Sequence, residues 1–176
     1  MKVQLWKLRG GWSMAVGFAA ALIPAAAGAE PPTTGIVNAT DTAWVLISSV
    51  FVLAMILPGL ALFYGGLVRS KNVLGTIMQS FVILCLVSVL WMLLGYSLAF
   101  GPDKRGIIGG LEWVGLQDVD LVPHPVYAPT IPHQAFMIFQ LMFAAITPAL
   151  ITGAFAERMR FSALVLFAAL WSILVY

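Results

Sequence analysis

The sequence predicts an all-α polytopic membrane protein, whose helices cross the bilayer several times. Hydrophobic residues make up 61% of the 176 residues and charged residues only 9%, against roughly 25% charged residues in a soluble domain. Three long runs contain no Asp, Glu, Lys or Arg, and each exceeds the about 20 apolar residues that a spanning helix needs. The net charge of +2 is small and the basic residues are scattered. The expected surroundings are therefore a lipid bilayer, and no nucleic acid is expected as a partner.

The chain begins with the pattern of a secretory signal peptide. Basic residues such as Lys2 and Arg9 precede an apolar run that ends in small residues at Ala29, as in a cleavable leader. We therefore predict that residues 1–29 are a signal peptide, and the alternative is an uncleaved first helix. Residues 30–176 are then the amino-terminal part of a membrane domain.

Four membrane helices are predicted in this domain. The first three cover the charge-free runs at about residues 42–68, 72–100 and 134–156. The fourth covers residues 161–176, which is less than a full span. We therefore expect the fourth helix to be truncated here and to continue in a longer protein.

The connections predict the orientation of these helices. Arg69 and Lys71 lie between the first two helices, and Arg158 and Arg160 lie between the third and fourth. Short loops rich in Lys and Arg remain on the cytoplasmic side, so both loops are expected there. The long connection at residues 101–133 and the mature amino terminus are then expected outside, which signal-peptide cleavage also implies.

Aromatic side chains and isolated polar groups are the candidates for a functional site. Phe139 and Phe143 are four residues apart, so their rings lie one above the other on one face of the third helix. Gln140 lies beside them, and Phe63 and Tyr64 are further pore-lining candidates. Helix packing is the simpler interpretation of the pair; the functional one is an aromatic gate. Because a ring attracts a cation by only about 0.5–2 kcal/mol, a narrow apolar passage would favour a neutral species.

Other kinds of chemistry find little support in the sequence. His124 and His133 lie among prolines in the long connection, and we interpret them as solvated loop residues. Cys85 lies inside an apolar run, where we expect it to pack between helices. A metal site would need more ligands than lie nearby. We therefore predict neither an enzyme nor a metal or other cofactor.

Three stretches of the sequence resemble ammonium transporters of the Amt/Rh family, in particular the bacterial Amt type. Residues 58–74 read PGLALFYGGLVRSKNVL, residues 95–101 read GYSLAFG, and residues 146–159 contain ITPALI followed by GAFAERM. The length, order and spacing of these stretches make the resemblance specific. It extends over residues 42–176, which are well under half of a full family member.

The resemblance implies a fold, a function and partners. The fold is an eleven-helix pore bundle, of which four helices are present here, assembled as a homotrimer in the plasma membrane, the inner membrane of a bacterium. The function is channel-like transport, in which NH4+ is recruited at an outer vestibule and deprotonated, and NH3 and a proton cross; methylammonium is a further expected substrate. Two stacked phenylalanines close the vestibule and correspond to Phe139 and Phe143. A PII-type regulatory protein would bind the cytoplasmic loops.

Further functional residues of the family are expected beyond this sequence. They are a buried Asp, a vestibule Trp and Ser, and a pair of pore histidines, all expected after Tyr176, so His124 and His133 are not that pair. Two other functions remain open. One is an ammonium sensor that uses the same fold with an appended signalling domain, and the other is a non-conducting subunit that contributes only to assembly.

Overall fold

The computed structural model describes residues 35–104 and 106–176; the predicted signal peptide at residues 1–29 lies outside them. Three helices of the described part are long and apolar enough to cross a membrane. We call them the first, second and third span, and they are Ala39–Leu67, Ser70–Phe100 and His133–Phe155. Their bounds differ from the predicted ranges by at most three residues, the largest difference being at the start of the first span.

The first span begins at a side-chain cap. The Oδ1 atom of Asn38 accepts the backbone N–H groups of Thr40 at 2.9 Å and Asp41 at 3.2 Å. These bonds satisfy two of the donors that a helix leaves free at its start. The backbone N–H of Asn38 donates in turn to the carbonyl of Thr130 at 2.7 Å. The start of the first span therefore lies at the same end of the bundle as the long connection.

The first span contains one wide turn. α1 (Ala39–Ala54) passes through a π-helical turn at Met55–Leu60 into α2 (Ala61–Leu67). Pro58 lies in this turn, and because it has no N–H to donate, it interrupts the α-helical hydrogen bonds there. The proline that the sequence places inside the first helix thus changes the local geometry without ending the helix.

The second span contains a similar turn without a proline. A 3-10 turn at Ser70–Asn72 is followed by α3 (Val73–Leu90), a π-helical turn at Trp91–Gly95 and α4 (Tyr96–Phe100). Within the turn the Trp91 ring lies so close to Gly95 that an added Cβ would be 3.0 Å from it. A side chain at position 95 would therefore displace the indole.

The third span and the helix after it complete the bundle. α5 (His133–Phe155) is continuous although Pro148 lies inside it. α6 (Phe161–Leu174) occupies the predicted fourth segment, and its 14 residues are fewer than the about 20 of a full span. α3 packs against α2, α5 and α6, and α5 also packs against α1. The second span is therefore the central element of the described bundle.

Apolar side chains form both the core and much of the surface of the bundle. The core includes Ala145 and Ala149, which are fully buried on α5 and allow a close approach of neighbouring helices. Large apolar side chains such as Trp44 and Phe51 are exposed, as expected of a bundle that contacts lipid or further helices. Cys85 is also exposed, so the expectation that it packs between helices is wrong for the described bundle.

Two short antiparallel ribbons lie in the long connection, residues 101–132, and the sequence did not predict them. They pair β1 (Asp103–Lys104) with β2 (Ile108–Gly109), and β3 (Pro123–His124) with β4 (Ala128–Pro132). Because these strands are short and lie outside the spans, the architecture remains that of a helical membrane protein.

The residues that follow the first ribbon are hydrogen-bonded to the end of the second span. The Ser97 hydroxyl donates to the carbonyl of Gly110 at 2.7 Å and accepts the backbone N–H of Trp113 at 3.0 Å. The backbones approach closely here, since a Cβ on Gly109 would lie 2.5 Å from the Ser97 carbonyl oxygen. The connection is therefore folded onto the helix end and is not a free loop.

Candidate functional site

The predicted gate residues contact each other on α5. The ring centroids of Phe139 and Phe143 are 5.1 Å apart, and the ring planes meet at 70°. The rings are therefore in edge contact, one of the favourable arrangements of an aromatic pair, and are not stacked in parallel. Phe143 is 39% exposed, so part of its ring faces away from the described helices.

Polar groups lie close to these rings. Gln140, which lies between the two phenylalanines in the sequence, is partly buried. The Thr147 hydroxyl donates to the carbonyl of Phe143 at 2.5 Å, a bond typical of threonine inside a helix. Pro148 follows and has no N–H, so the carbonyl of Ala144 loses its usual donor in the helix. The backbone next to Phe143 is therefore more polar than the apolar sequence suggests.

The two pore-lining candidates on α2 have different surroundings. Phe63 is 61% exposed. Tyr64 is partly buried, and its hydroxyl donates to the carbonyl of Leu150 on α5 at 2.8 Å. The Tyr64 ring lies over Gly153, where an added Cβ would be 2.5 Å from a ring carbon. Tyr64 thus joins α2 to α5, and the pore-lining role of both residues stays a prediction.

The interpretation of His133 as a solvated loop residue is wrong. His133 is the first residue of α5 and only 2% exposed. Its Nε2 atom lies 2.6 Å from the hydroxyl of Tyr96 on α4, and Tyr96 is itself fully buried. The sequence signal that could have identified this pair is the position of both residues at the ends of apolar runs, where the long connection must turn back onto the bundle.

His124 also belongs to the structured part of the long connection. Its Nδ1 atom accepts the backbone N–H groups of Val126 and Tyr127, both at 3.3 Å. Its ring stacks on that of Tyr127 and lies 4.9 Å, between centroids, from the ring of His133. His124 is partly buried and lies in β3, so it is not part of an open loop, but it keeps some contact with solvent.

An aromatic cluster surrounds the two histidines. Trp113 stacks on Tyr96 at 5.6 Å and meets His133 edge-on at 4.8 Å, between ring centroids. Trp113 is 8% exposed. We call this group the aromatic cluster, and its members are Tyr96, Phe100, Trp113, His124, Tyr127, His133 and Phe136. It connects the second span, the long connection and the start of α5.

A different kind of cluster joins the two short turns at the opposite end of the bundle. The Glu157 carboxylate accepts hydrogen bonds from Asn72 Nδ2 at 2.7 Å, from the Arg69 backbone N–H at 3.0 Å and from Arg69 Nε at 3.1 Å. These bonds, led by that from Asn72, lower the pKa of Glu157 to about 2. We call this group the carboxylate cluster, and sequence analysis did not predict it.

The backbone of Glu157 has an unusual conformation. Its φ angle is +62°, in the left-handed region that favours glycine. Such a position is common directly after a helix end, and Glu157 follows α5 by two residues. Glycine would adopt this φ angle without strain, but it has no carboxylate. Only the glutamate side chain supplies the three bonds to Arg69 and Asn72.

The described residues offer no multidentate metal site. Within residues 35–104 and 106–176, no three or more His, Cys, Asp or Glu side chains lie close enough to hold an ion together. The site residues are instead aromatic, amide and hydroxyl groups at the start of a spanning helix. Taken with the three spans, they define a helical membrane protein with a largely buried aromatic cluster at one end.

Comparison with known proteins identifies the class more closely. The model of the Ammonium Transporter Family matches residues 43–176. The "Ammonium transporter" of Bacillus subtilis (strain 168) is 55% identical over 136 residues, which are 77% of this chain and 33% of that protein. The chain therefore belongs to the ammonium transporter family, a family of transporters and not of enzymes. It spans about a third of the length of the curated relatives it matches.

Solved structures support the same fold. The crystal structure of Candida albicans Mep2 matches with a TM-score of 0.70 and 34% identity, over 80% of this chain and 30% of that one. A structure described as "Sensor Amt Protein" matches with a TM-score of 0.68 over 77% of this chain and 32% of that one. At 24% identity, this second likeness concerns the fold alone.

Proposed function

We propose that this chain forms the amino-terminal part of a channel-like ammonium transporter built as an eleven-helix bundle. In this proposal NH4+ is recruited at an outer vestibule next to Phe139, Gln140 and Phe143, loses its proton, and NH3 and the proton cross the membrane. The observation that carries the proposal is the contact between the two rings on α5, with part of Phe143 facing away from the described helices. Family membership supplies the substrate class, because the matched relatives are named ammonium transporters.

The chemistry of the rings is consistent with a gate that selects against hydrated ions. Aromatic faces attract a small cation by about 0.5–2 kcal/mol, far less than the cost of removing a charge from water. Phe139 and Phe143 would therefore hold NH4+ only briefly and would favour passage of neutral NH3. The groups that remove and carry the proton are expected in the part of the protein that follows Tyr176.

The orientation and assembly belong to the same proposal. We place the long connection and the mature amino terminus outside the plasma membrane, the inner membrane of a bacterium, and the short turns in the cytoplasm. This orientation is supported by Arg158, Arg160 and Lys71 in the short turns. A homotrimer and lipid would cover the exposed apolar surface, and a PII-type protein would bind at the short turns.

The test is the charge that the reconstituted full-length protein moves on a solid-supported membrane after an ammonium pulse. The proposal expects a transient current in the wild type and a reduced current when both rings are removed in Phe139→Ala/Phe143→Ala. Phe81→Ala is a matched control, because it removes an exposed ring from α3, and its current should equal that of the wild type.

Two results would contradict the proposal. A normal current in the double variant would contradict the gate assignment. A silent wild type that still binds ammonium would contradict transport and would favour the sensor that uses the same fold.

A further inference from the structure

We propose that His133 is a positioning residue for α5, and that it holds the gate helix in place only while its imidazole is neutral. Acid on the side of the long connection would then loosen the start of α5 and lower uptake through the rings of Phe139 and Phe143. The uptake part of this inference rests on the proposed function. The structural part concerns only the contacts of His133 and can be tested without any transport.

The contact of His133 with Tyr96 requires one donor and one acceptor. The Nε2 atom and the hydroxyl oxygen are 2.6 Å apart, and both residues are almost completely buried. A neutral imidazole can accept the hydroxyl proton at Nε2, whereas a protonated ring has donors at both nitrogens. Protonation of His133 would therefore reverse the bond, with Nε2–H donating to the Tyr96 oxygen, and would leave the Tyr96 hydroxyl proton without its acceptor in a place where water cannot compensate.

The position of His133 also opposes a positive charge. It is the first residue of α5, and the amino-terminal end of a helix carries a partial positive charge that repels cations. The connection occupies two of the free donors of this helix end, since the Val122 carbonyl accepts the backbone N–H of His133 at 3.4 Å and the Asp120 carbonyl accepts that of Gln134 at 3.1 Å. A charged ring would therefore be unfavourable at the point where the connection is attached.

The titratable groups around His133 come from three elements. They are Tyr96 on α4, His124 on β3, and Asp120 and Tyr127 in the rest of the long connection. Asp120 is negative and favours a protonated His133, whereas a protonated His124 would repel it.

The start of α5 is rigidly connected to the gate residues. Phe139 lies six residues after His133, which is about 9 Å along the helix, and Phe143 lies about 15 Å away. A continuous helix transmits a shift or a tilt over such distances. Release of His133 from Tyr96 would thus displace the two rings relative to the rest of the bundle.

The experiment compares uptake of methylammonium by the full-length protein between about pH 5 and pH 8, where this substrate stays protonated. In the wild type we expect uptake to fall at least about threefold from pH 7.5 to pH 5, as histidine becomes charged. His133→Gln keeps an acceptor near the Nε2 position and does not titrate. This variant should retain most of the neutral uptake and lose most of the acid decrease.

Two further variants separate the contributions. His124→Asn keeps an acceptor for the backbone N–H groups of Val126 and Tyr127 and leaves the contact of His133 with Tyr96 in place, so it should retain most of the acid decrease of the wild type. Tyr96→Phe keeps the ring and removes the hydroxyl, so its uptake at neutral pH should approach the acid level of the wild type. An unchanged acid decrease in both His133→Gln and Tyr96→Phe would overturn the inference.

A second readout makes the test independent of transport. The melting temperature of the purified protein is measured over the same pH range, and we expect it to decrease in acid more in the wild type than in His133→Gln. If the wild type transports nothing but this difference is found, the proposed function fails and the role of His133 in positioning α5 stands. Equal acid dependence of the two melting temperatures would overturn that role.

Discussion

The two ends of the bundle are held together by different physical means. At one end the long connection is fixed by buried rings and neutral hydrogen bonds, with Trp113 and Tyr96 at the centre of the aromatic cluster. At the other end the two short turns are fixed by the carboxylate cluster of Glu157 with Arg69 and Asn72, where the Arg69 side chain is 66% exposed. The long connection is therefore stabilised mainly by burial, and the short turns mainly by charge.

This difference predicts how each end responds to its surroundings. Contacts between apolar rings depend little on salt, whereas partly exposed ion pairs are screened by it. The end with the candidate gate is thus expected to be the less sensitive to salt. Its contacts should weaken only when a buried group changes its charge. The end with the short turns is expected to respond to salt and to strong acid.

The largest expected effect is the loss of a ring from the aromatic cluster. Trp113→Ala removes a side chain that is 8% exposed and contacts Tyr96 and His133. Replacing a buried Trp by Ala costs about 3–5 kcal/mol, which corresponds to a decrease of about 10 °C in the melting temperature. Thermal unfolding of the purified full-length protein checks this value. Ile107→Ala, at a side chain that is 87% exposed, is the control, and an equal decrease in both variants would contradict a buried anchor.

A smaller effect is expected from the hydroxyl of Ser97. Ser97→Ala leaves the Gly110 carbonyl and the Trp113 N–H without their buried partner, which costs about 1–3 kcal/mol. The same unfolding measurement applies, with Ser162→Ala at an exposed position as the control. A melting temperature equal to that of the wild type would show that the first ribbon is held by other contacts.

The carboxylate cluster should be sensitive to pH in a defined window. The pKa of Glu157 is lowered from 4.5 to about 2 in the folded protein, so its contribution to stability is complete above about pH 4.5 and is lost as the pH falls towards 2. Glu157→Gln removes the charge and should lower the melting temperature by less than Trp113→Ala does. The difference from the wild type should shrink below about pH 4.5 and with added salt. A difference that is independent of both would contradict an electrostatic origin.

The smallest effect concerns the backbone at position 157. Glu157→Ala and Glu157→Gly both remove the carboxylate, but only glycine is unstrained at a φ angle of +62°. The glycine variant should therefore melt at a temperature about 2 °C higher than the alanine variant. If the alanine variant were the more stable of the two, the turn would not have the left-handed conformation in solution.

The sequence predicted the spans because their signal is local. Long apolar runs without charge must be helical in a bilayer, where every backbone group needs a partner within its own segment. The ranges predicted at 42–68, 72–100 and 134–156 accordingly agree with the spans. The contact of Phe139 with Phe143 was also predictable, since it follows from helical spacing on one element.

The contacts between distant residues were not predictable in this way. Tyr96 and His133 are 37 residues apart, and Arg69 and Glu157 are 88 residues apart. The prolines near His124 and His133 suggested an open loop. His133 is instead buried, with its backbone N–H bonded to a carbonyl of the connection and its ring bonded to the Tyr96 hydroxyl. Such pairs depend on how the helices pack, which no local pattern specifies.

The π-helical turn at Met55–Leu60 allows the first span to absorb a change in residue number. A π turn accommodates one residue more than an α turn, so deleting one residue there would restore a regular α-helix with little cost to the backbone. The residues after the deletion would keep nearly the same position around the helix axis, and Tyr64 would remain against Leu150 and Gly153. The same deletion in α1 would instead rotate all following residues by about 100°, so a relative with one residue fewer is expected to lack it in this turn and to keep the same anchor.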